Sequence, residues 1–241
     1  MTLCDGLDAA ALERLTGAPL VVIEQSLPST QDAVHRLAEG GAPAGSMVLA
    51  DEQTAGRGRQ GRAWHSPAGC GVWMSVLLRP PQPPAGGALA VRAGLAAIDA
   101  IADAAPGVAA RLKWPNDLMV ADRKAGGILC EVRWSGAAVS WVAVGVGINV
   151  KGPVDPAIRD RALALADVCA GVSRLALVAA LFPRLRALEP LPSALGPAER
   201  QAFLRMEWRD PGAEETADLE PDGALLVRTA GGTLDRRVTA A

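Results

Sequence analysis

Residues 53–64 read Gln-Thr-Ala-Gly-Arg-Gly-Arg-Gln-Gly-Arg-Ala-Trp and lie between two apolar runs, 47–50 and 71–78. Three arginines and three glycines fall within the seven residues 56–62. Glycine lets the backbone turn sharply and come close to a ligand, and arginine offers a fixed fork of donors that suits phosphate and carboxylate. The sequence therefore predicts a loop between two strands that encloses an anion, with Trp64 as a flat face for a ring.

The same loop satisfies G-x-G-x-x-G, which in a dinucleotide-binding fold opens a helix and is followed about 20 residues later by an acidic side chain. Residues 62–67 read Arg-Ala-Trp-His-Ser-Pro and do not begin a long apolar helix, and residues 77–81 read Leu-Leu-Arg-Pro-Pro. No Gly-Lys-Ser/Thr follows, so the phosphate loop of nucleoside triphosphatases is excluded as well. The glycines of this loop therefore belong to neither of these two nucleotide-binding motifs.

The composition is that of a globular chain with a substantial core. The chain has 241 residues, of which 50% are hydrophobic, and a mean hydropathy of +0.19. This length suits one large domain with a small appendage. The apolar runs are interrupted well before the roughly 18 residues of a membrane span, and residues 1–5 lack the basic start of a secretory signal. We therefore expect a cytoplasmic protein with no membrane partner.

The charge balance disfavours a dedicated nucleic-acid binder, since 24 basic and 26 acidic residues give a net charge of −2. The positive charge of the loop arginines is therefore a local feature and not part of a basic excess over the whole chain. The cysteines are far apart without a C-x-x-C pair, and only two histidines accompany them. We expect reduced thiols and no metal site built by a protein cluster alone. The cysteines are Cys4, Cys70, Cys130 and Cys169.

Periodicity and turn residues divide the chain into helices and strands in blocks. Helices are predicted over residues 7–15, 31–38, 89–104, 156–163, 173–188 and 197–207. Strands are predicted from residue 20 and over 46–53, 71–78, 111–120, 123–131 and 137–146, with short β segments at 216–219, 224–229 and 233–239. This order predicts an α+β fold in which helices pack on a mixed, mostly antiparallel sheet. The predicted division is a catalytic domain, 1–208, and a β appendage, 209–241.

Two lysines stand in unusual surroundings. Lys124 lies beside Gly126 and Gly127, and Lys113 precedes Trp-Pro-Asn-Asp, a polar insertion between apolar neighbours. A lysine next to a strand is usually a solvated edge charge. Beside an arginine–glycine loop and an Asn-Asp pair, these lysines become candidates for holding anions. A carboxylate that attacks an α-phosphate needs two anions held together while charge builds up, and several cations in a dry pocket achieve this.

Four segments, in this order and spacing, resemble the biotin protein ligase family. They are 56–64, 113–118, 123–129 and 145–150. In addition, Ser-Thr-Gln at 29–31 stands where that family has Ser-Thr and a polar residue. The resemblance extends over about residues 20 to 190 and implies the catalytic core that biotin and lipoate ligases share with class II aminoacyl-tRNA synthetases.

The resemblance implies a biotin site. Ser29, Thr30 and Gln53 match positions that hydrogen-bond the ureido ring of biotin. The loop positions match those that close over the biotin carboxylate and the ATP phosphates, and two further glycines match positions where the backbone lines the biotin tunnel. The remaining biotin-binding residues are Gly56, Arg57, Arg59, Lys124, Gly127 and Gly145.

An ATP site and a catalytic group are implied in the same way. Lys124 matches the lysine that bridges carboxylate and α-phosphate, Trp64 an aromatic that packs on the adenylate, and Asn149 an adenine-contacting position. The catalytic residues are Lys124, Arg59 and Asp117, with Mg²⁺ entering with ATP near Asp117. The ATP- or adenylate-binding residues are Arg57, Arg59, Arg62, Trp64, Lys113, Asn116, Lys124 and Asn149.

The implied reaction converts biotin and MgATP to biotinyl-5′-AMP and pyrophosphate, and then transfers biotin to a lysine of a biotin carboxyl carrier protein, such as that of acetyl-CoA carboxylase. The first core strand begins near residue 20, so we expect the monofunctional type, without a winged-helix repressor domain and without DNA as a partner. The C-terminal residues resemble the family's SH3-like appendage, shortened to about its second half. The sequence does not decide whether the protein forms a homodimer.

Two alternatives remain. The first is a lipoate or octanoate ligase of the same superfamily, although those enzymes lack this arginine–glycine loop together with Lys-Trp-Pro-Asn-Asp. The second is a non-enzymatic regulator that binds an adenylate or a nucleic acid through the arginine cluster, which the net charge of −2 disfavours.

Overall fold

A computed structural model describes residues 4–152, 154 and 158–239. Its helices are α1 (Ala9–Thr16), α2 (Thr30–Glu39), α3 (Ala88–Ala104), α4 (Arg174–Arg186) and α5 (Pro197–Met206). Its strands are β1 (Val21–Leu27), β2 (Met47–Gln53), β3 (Gly71–Leu78), β4 (Ala110–Lys113), β5 (Asp117–Val120), β6 (Arg123–Ser135), β7 (Ala138–Asn149), β8 (Glu207–Trp208), β9 (Glu215–Leu219), β10 (Leu225–Arg228) and β11 (Leu234–Arg237).

Eight strands form one sheet in the order β1-β2-β3-β7-β6-β5-β4-β8. The β1–β2 and β4–β8 pairs are parallel, and the other pairs are antiparallel. The α+β fold with a mostly antiparallel sheet is therefore confirmed. Among the described helices, none combines the length and the apolar character needed to cross a bilayer.

Both faces of the sheet are covered, which is why β3 is buried along its whole length. Side chains alternate between the faces of a strand. Met74 and Leu78 point into the larger core with α3 and α4, whereas Trp73 and Leu77 point into a smaller core beneath α2. By the same alternation, the odd-numbered residues of β7 from Ala143 onward lie on the α2 face.

The single strand predicted over residues 111–120 is wrong, because the chain folds back within it. β4 and β5 pair with each other, with Leu112 opposite Leu118 and Lys113 opposite Asp117. Pro115 has no N–H for a ladder, and the Asn116 N–H closes the turn onto the Lys113 carbonyl at 3.1 Å. The hairpin predicted with the next strand is confirmed as β5–β6.

The helix predicted over 156–163 is not formed in its described part, and Pro156 lies outside the described residues. After one turn at Ile158, the backbone pairs with Lys124. The Lys124 N–H donates to the Arg161 carbonyl at 2.8 Å, and the Leu163 N–H donates to the Lys124 carbonyl at 3.0 Å. The backbone of residues 161–163 is therefore hydrogen-bonded to the beginning of β6, at Lys124.

The C-terminal strands form a small antiparallel sheet in the order β11-β10-β9. Its buried side chains Leu219, Leu225 and Val227 belong to the larger core, which also contains residues of the eight-stranded sheet. Its connecting turn is also bonded there, since the Leu195 N–H donates to the Pro221 carbonyl at 2.6 Å. The boundary at residue 208 and the likeness to an SH3 domain stay predictions.

Because that core is shared, Leu219→Ala should destabilise the whole chain. Leu219 is fully buried, and removing such a side chain lowers the free energy of unfolding by about 2–5 kcal/mol. Leu234→Ala in β11 is the matched control, since Leu234 is 55% exposed and its loss should change stability by no more than about 0.5 kcal/mol. Urea unfolding followed by tryptophan fluorescence measures both, and an unchanged main transition in Leu219→Ala would show a separately folding appendage.

Candidate functional site

Two glycines of β7 form a floor on the α2 face of the sheet. A Cβ at Gly147 would lie 2.6 Å from the indole nitrogen of Trp64, and a Cβ at Gly145 would lie 2.8 Å from Gln31 Oε1. Neither position could therefore carry a side chain without displacing the residue above it. The missing side chains let Gln31 and Trp64 lie directly against the backbone of β7, which we call the glycine floor (residues 145 and 147).

The Ser-Thr turn and the end of β2 meet in a buried polar network. Ser29 caps α2, with its hydroxyl accepting from the Gln31 N–H at 3.2 Å. The Gln53 amide oxygen accepts from the Thr30 N–H at 2.8 Å and from its hydroxyl at 3.1 Å, while the Gln53 amide nitrogen donates to Ser66 at 2.8 Å. The three residues predicted for the ureido ring therefore lie together, and their contact with biotin stays a prediction.

Ser75 extends this network into the sheet. Its hydroxyl lies 2.9 Å from Thr30 Oγ1 and 2.8 Å from Gln31 Oε1. The Gln31 amide nitrogen lies within hydrogen-bonding distance of the Leu129 and Ala143 carbonyls, at 3.2 and 3.3 Å. A satisfied buried network of this kind is rigid and specifies one geometry. Sequence reasoning missed Ser75, although a lone hydroxyl within the apolar run 71–78 was a usable signal.

The arginine–glycine loop (residues 56–64) is a closed hairpin. The Trp64 N–H donates to the Gly56 carbonyl and the Gly58 N–H donates to the Arg62 carbonyl, both at 2.8 Å. A Cβ at Gly56 would come within 2.4 Å of the Trp64 carbonyl oxygen. Glycine at this position is therefore required for the loop to return on itself and to bring Trp64 over the glycine floor.

The second and third arginines of the loop point to different places. Arg59 donates to the Asn116 side-chain oxygen at 3.3 Å, which joins the loop to the turn between β4 and β5. Asn116 in turn donates to the Ile128 carbonyl at 2.7 Å, so this turn is fixed to β6. Arg62 is exposed and donates to Gln60 within the loop at 3.1 Å. The structure brings Arg59 to the Asn-Asp pair and leaves Arg62 at the surface.

The first arginine takes part in a chain of polar contacts across the edge of the site. Arg57 Nη2 lies 2.8 Å from Asp32 and 3.0 Å from Glu131. Glu131 also lies 2.8 Å from His35 Nε2, and His35 Nδ1 lies 2.9 Å from the Trp141 indole nitrogen. None of the four partners carried a sequence motif, and they come from α2, β6 and β7.

The tautomer of His35 follows from its two partners. The Trp141 indole N–H can only donate, so His35 Nδ1 must be the acceptor and its proton sits on Nε2, facing Glu131. Both ring nitrogens of His35 thus have hydrogen-bond partners, and the residue is only 4% exposed. Its hydrogen bond, and then the positive charge of Arg57, lower the pKa of Glu131 against the opposing effect of partial burial. Glu131 is accordingly held as a carboxylate.

Lys124 is the cation at the centre of the site. Its Nζ lies 2.5 Å from Asp117 Oδ1 and 5.1 Å from the centre of the Trp64 ring. Both the carboxylate and the electron-rich ring face attract the Lys124 ammonium. Gly127 lies beside it, where a Cβ would come within 3.6 Å of Trp64 and 3.7 Å of the Lys124 side chain. The lysine and aspartate that were predicted to be catalytic and the tryptophan that was predicted to pack on the adenylate therefore form one cluster.

Two predicted site residues make their contacts elsewhere. Lys113 Nζ lies 2.6 Å from Asp210 and 4.9 Å from the centre of the Trp208 ring, so it faces the C-terminal segment. Asn149 donates to the Leu163 carbonyl at 3.1 Å. Their predicted contacts with the adenylate stay predictions, and the structure gives Lys113 a role in holding residues 208–210 against β4.

The Trp64 indole N–H is buried without a hydrogen-bond partner. An unsatisfied buried donor costs about 1–3 kcal/mol. The indole lies on the glycine floor beside Lys124, so a ligand that supplies an acceptor there, or that displaces the ring, would remove this penalty. Within the described residues, no group of three or more His, Cys, Asp or Glu side chains could hold a metal ion by itself.

The charged groups of this cluster are suited to binding two anions side by side. Lys124 and Arg59 supply the cations, Asn116 and Asp117 supply polar groups between them, and the polar network around Thr30 offers donors and acceptors to a neutral ring. Such preorganised charge suits a reaction in which negative charge builds up on a phosphate.

Comparison of the sequence with known proteins identifies relatives of this chain. The bifunctional ligase/repressor BirA of Bacillus subtilis (strain 168) is 44% identical over 131 residues, which are 54% of this chain and 40% of that protein. The biotin--[acetyl-CoA-carboxylase] ligase of Paracoccus denitrificans is 46% identical over 134 residues, 53% of each chain. The chain thus spans about half the length, or less, of these curated relatives.

The fold leads to the same group of proteins. The biotin protein ligase from Aquifex aeolicus in complex with biotin and ATP aligns with a TM-score of 0.75 at 25% identity, over 91% of this chain and 95% of that chain. A model of the biotin/lipoate A/B protein ligase family matches residues 23–149, which run from within β1 to the end of β7 and include the whole arginine–glycine loop. The chain belongs to the biotin/lipoate A/B protein ligase family.

Proposed function

We propose that this protein is a biotin protein ligase, which activates biotin with ATP to biotinyl-5′-AMP and then transfers biotin to a lysine of a biotin carboxyl carrier protein. The observation that carries the proposal is the cluster of Lys124, Asp117 and an unsatisfied Trp64 N–H on a floor of glycines. Support comes from the similarity to a biotin--[acetyl-CoA-carboxylase] ligase and from the aligned ligase that holds biotin and ATP.

The neutral end of biotin suits the network beneath α2. A ureido group carries both donors and an acceptor, and Ser29, Thr30 and Gln53 carry groups of both kinds. Ser29 and Thr30 are buried, and Gln53 is half-buried. The carboxylate end would then lie toward Lys124, with the backbone at Gly127 and Gly145 along the way.

The first step joins two anions. A biotin carboxylate oxygen attacks the α-phosphorus of ATP, a new C–O–P bond forms, and the bond from the α-phosphorus to the bridging oxygen breaks to release pyrophosphate. Lys124 would lie between the carboxylate and the α-phosphate, where its charge offsets their repulsion, and Arg59 would add a second cation. Asp117 holds the Lys124 ammonium in place until the substrates arrive.

Magnesium fits this site as a companion of ATP. Mg²⁺ is usually bound through one or two carboxylates together with substrate phosphates and water. Asp117 is the carboxylate that the site offers, and the described residues form no self-sufficient metal cluster. When bound, Mg²⁺ would neutralise phosphate charge, and the protein's part is to place Asp117 next to Lys124.

In the second step, the amine of the carrier lysine attacks the acyl carbon of the adenylate, and AMP leaves. The arginine–glycine loop and Trp64 would cover the mixed anhydride until the carrier arrives, because exclusion of water protects a reactive intermediate. Arg59 and Trp64 already hold the loop over the site through Asn116 and the glycine floor. Asp117 and Asn116 would lie closest to the incoming lysine.

Lys124→Ala is expected to lower the rate of biotinyl-adenylate formation by at least about 100-fold, as loss of one preorganised charge at a reacting phosphate does. Chromatography of the adenylate from biotin and MgATP measures it. Lys151→Ala is the matched control, because Lys151 is exposed. Unchanged circular dichroism would show that the fold is intact, and wild-type turnover by Lys124→Ala would refute the assignment.

The whole reaction is tested with a carrier domain. Incubation of the protein with biotin, ATP, Mg²⁺ and a biotin carboxyl carrier domain should add one biotin to the carrier, as seen by mass spectrometry, and omission of ATP should abolish the product. No product with a carrier that a known ligase does biotinylate would contradict the proposal.

Lipoate is the rival substrate, since the matched family contains lipoate ligases as well. A ligand that binds only the folded state stabilises it, by about 2.7 kcal/mol at a concentration of 100 times Kd. We expect biotin to raise the melting temperature and lipoate at the same concentration to leave it unchanged. The reverse result would favour the lipoate ligase.

A further inference from the structure

One group of residues has no part in the proposed chemistry, although it reaches the loop that covers the site. It runs from half-buried Trp141 and buried His35 through Glu131 to Arg57 and Asp32. We propose that Arg57 is the anchor of the arginine–glycine loop rather than a ligand for an anion, and that Glu131 and His35 are positioning residues that hold this loop closed.

The charges around Arg57 argue against a substrate contact. Two carboxylates, Asp32 and Glu131, already lie within 2.8 and 3.0 Å of one guanidinium nitrogen. A phosphate or carboxylate placed next to Arg57 would meet two like charges, and like charges close together disfavour binding. Arg59 differs, since its bond to Asn116 directs it toward the turn that also carries Asp117.

The contacts of Arg57 join three elements that a closed loop must touch. Asp32 lies in the first turn of α2, Glu131 lies on β6, and Arg57 starts the hairpin that ends at Trp64. The turn of α2 next to Asp32 carries the Thr30 and Gln31 network. Arg57 therefore couples the loop directly to α2, which carries the polar end of the site, and to β6, which pairs with the floor strand β7.

Glu131 is aimed by groups that cannot easily move. Its carboxylate accepts from His35 Nε2, and His35 is fixed in one tautomer by the indole of Trp141 on β7. This hydrogen bond is the main cause of the lowered pKa of Glu131, and it keeps the carboxylate charged while it faces Arg57. His35 thus acts through Glu131 and not on the substrate.

The anchor is of the strength that a reversible closure needs. The side chains of Arg57, Asp32 and Glu131 are 40%, 40% and 27% exposed. Ion pairs this exposed each shift an equilibrium by about fivefold at most. Two such pairs favour the closed loop without locking it, so substrates can still enter.

Limited trypsin digestion tests the anchor without any substrate, because the loop contains the cleavage sites Arg57, Arg59 and Arg62. Cleavage after Arg59 and Arg62 in the full chain is followed by mass spectrometry, with cleavage after exposed Arg209 as an internal reference. Glu131→Gln and His35→Leu should each speed loop cleavage about threefold or more relative to the reference. Glu39→Gln, at the exposed end of α2, is the control.

Two further variants separate positioning from a general loss of stability. His35→Gln keeps an N–H donor near the Nε2 position and should restore protection, whereas His35→Leu should not. Arg57→Ala should speed cleavage after Arg59 and Arg62, and adding Glu131→Gln to it should have no further effect, because residues that act through one contact are not additive. Wild-type cleavage in Glu131→Gln, or additive effects in the double variant, would overturn the proposal.

A kinetic arm rests on the proposed function and stays distinct from the proteolysis. In biotinylation assays, Glu131→Gln should raise KM for biotin severalfold while kcat stays within about twofold, since the variant changes closure and not the reacting groups. A loss of kcat with unchanged KM would overturn the positioning role. Absence of ligase activity in the wild type would refute the proposed function and leave the trypsin result to decide the anchor.

Discussion

The close approach of side chains to bare backbone on one face of β7 is the constraint on which the site depends. Alternation along the strand places residues 145 and 147 toward α2, and both are glycine. Gln31 and Trp64 occupy the space that two Cβ atoms would fill. The same alternation sends Val144 and Val146 into the larger core, so one strand serves the core and the site with alternate residues.

The arginine–glycine loop is positioned by contacts of three different kinds. Trp64 rests on the glycine floor, Arg59 bonds to the turn before β5, and Arg57 pairs with carboxylates of α2 and β6. Each contact reaches a different element of the sheet or its covering helix. The loop is therefore held at several points by individually weak interactions, which suits a cover that must close over an intermediate and reopen.

Much of the fold was predictable because its signals are local. Glycine and proline mark the ends of β3 and of α5, and periodicity identifies α3, so those elements agree with the predictions to within a residue or two. Two departures from the predictions arose where tertiary pairing decided the outcome. The backbone of residues 161–163 pairs with Lys124 instead of forming a helix, and β8, two residues long, exists only because β4 offers it an edge.

The same distinction between local signals and long-range packing applies to the residues of the site. Lys124, Asp117 and the loop arginines stand in short motifs, so sequence could assemble them, whereas His35 and Glu131 are 96 residues apart and Trp141 lies on yet another strand. Nothing in local sequence signals a contact between residues so far apart, because sheet order and register create it. Motifs identify groups suited to the chemistry, and long-range packing determines how firmly each is held. An arginine in the segment that most resembles a known family can therefore anchor a loop instead of binding a substrate, because the fold determines which side chains it contacts.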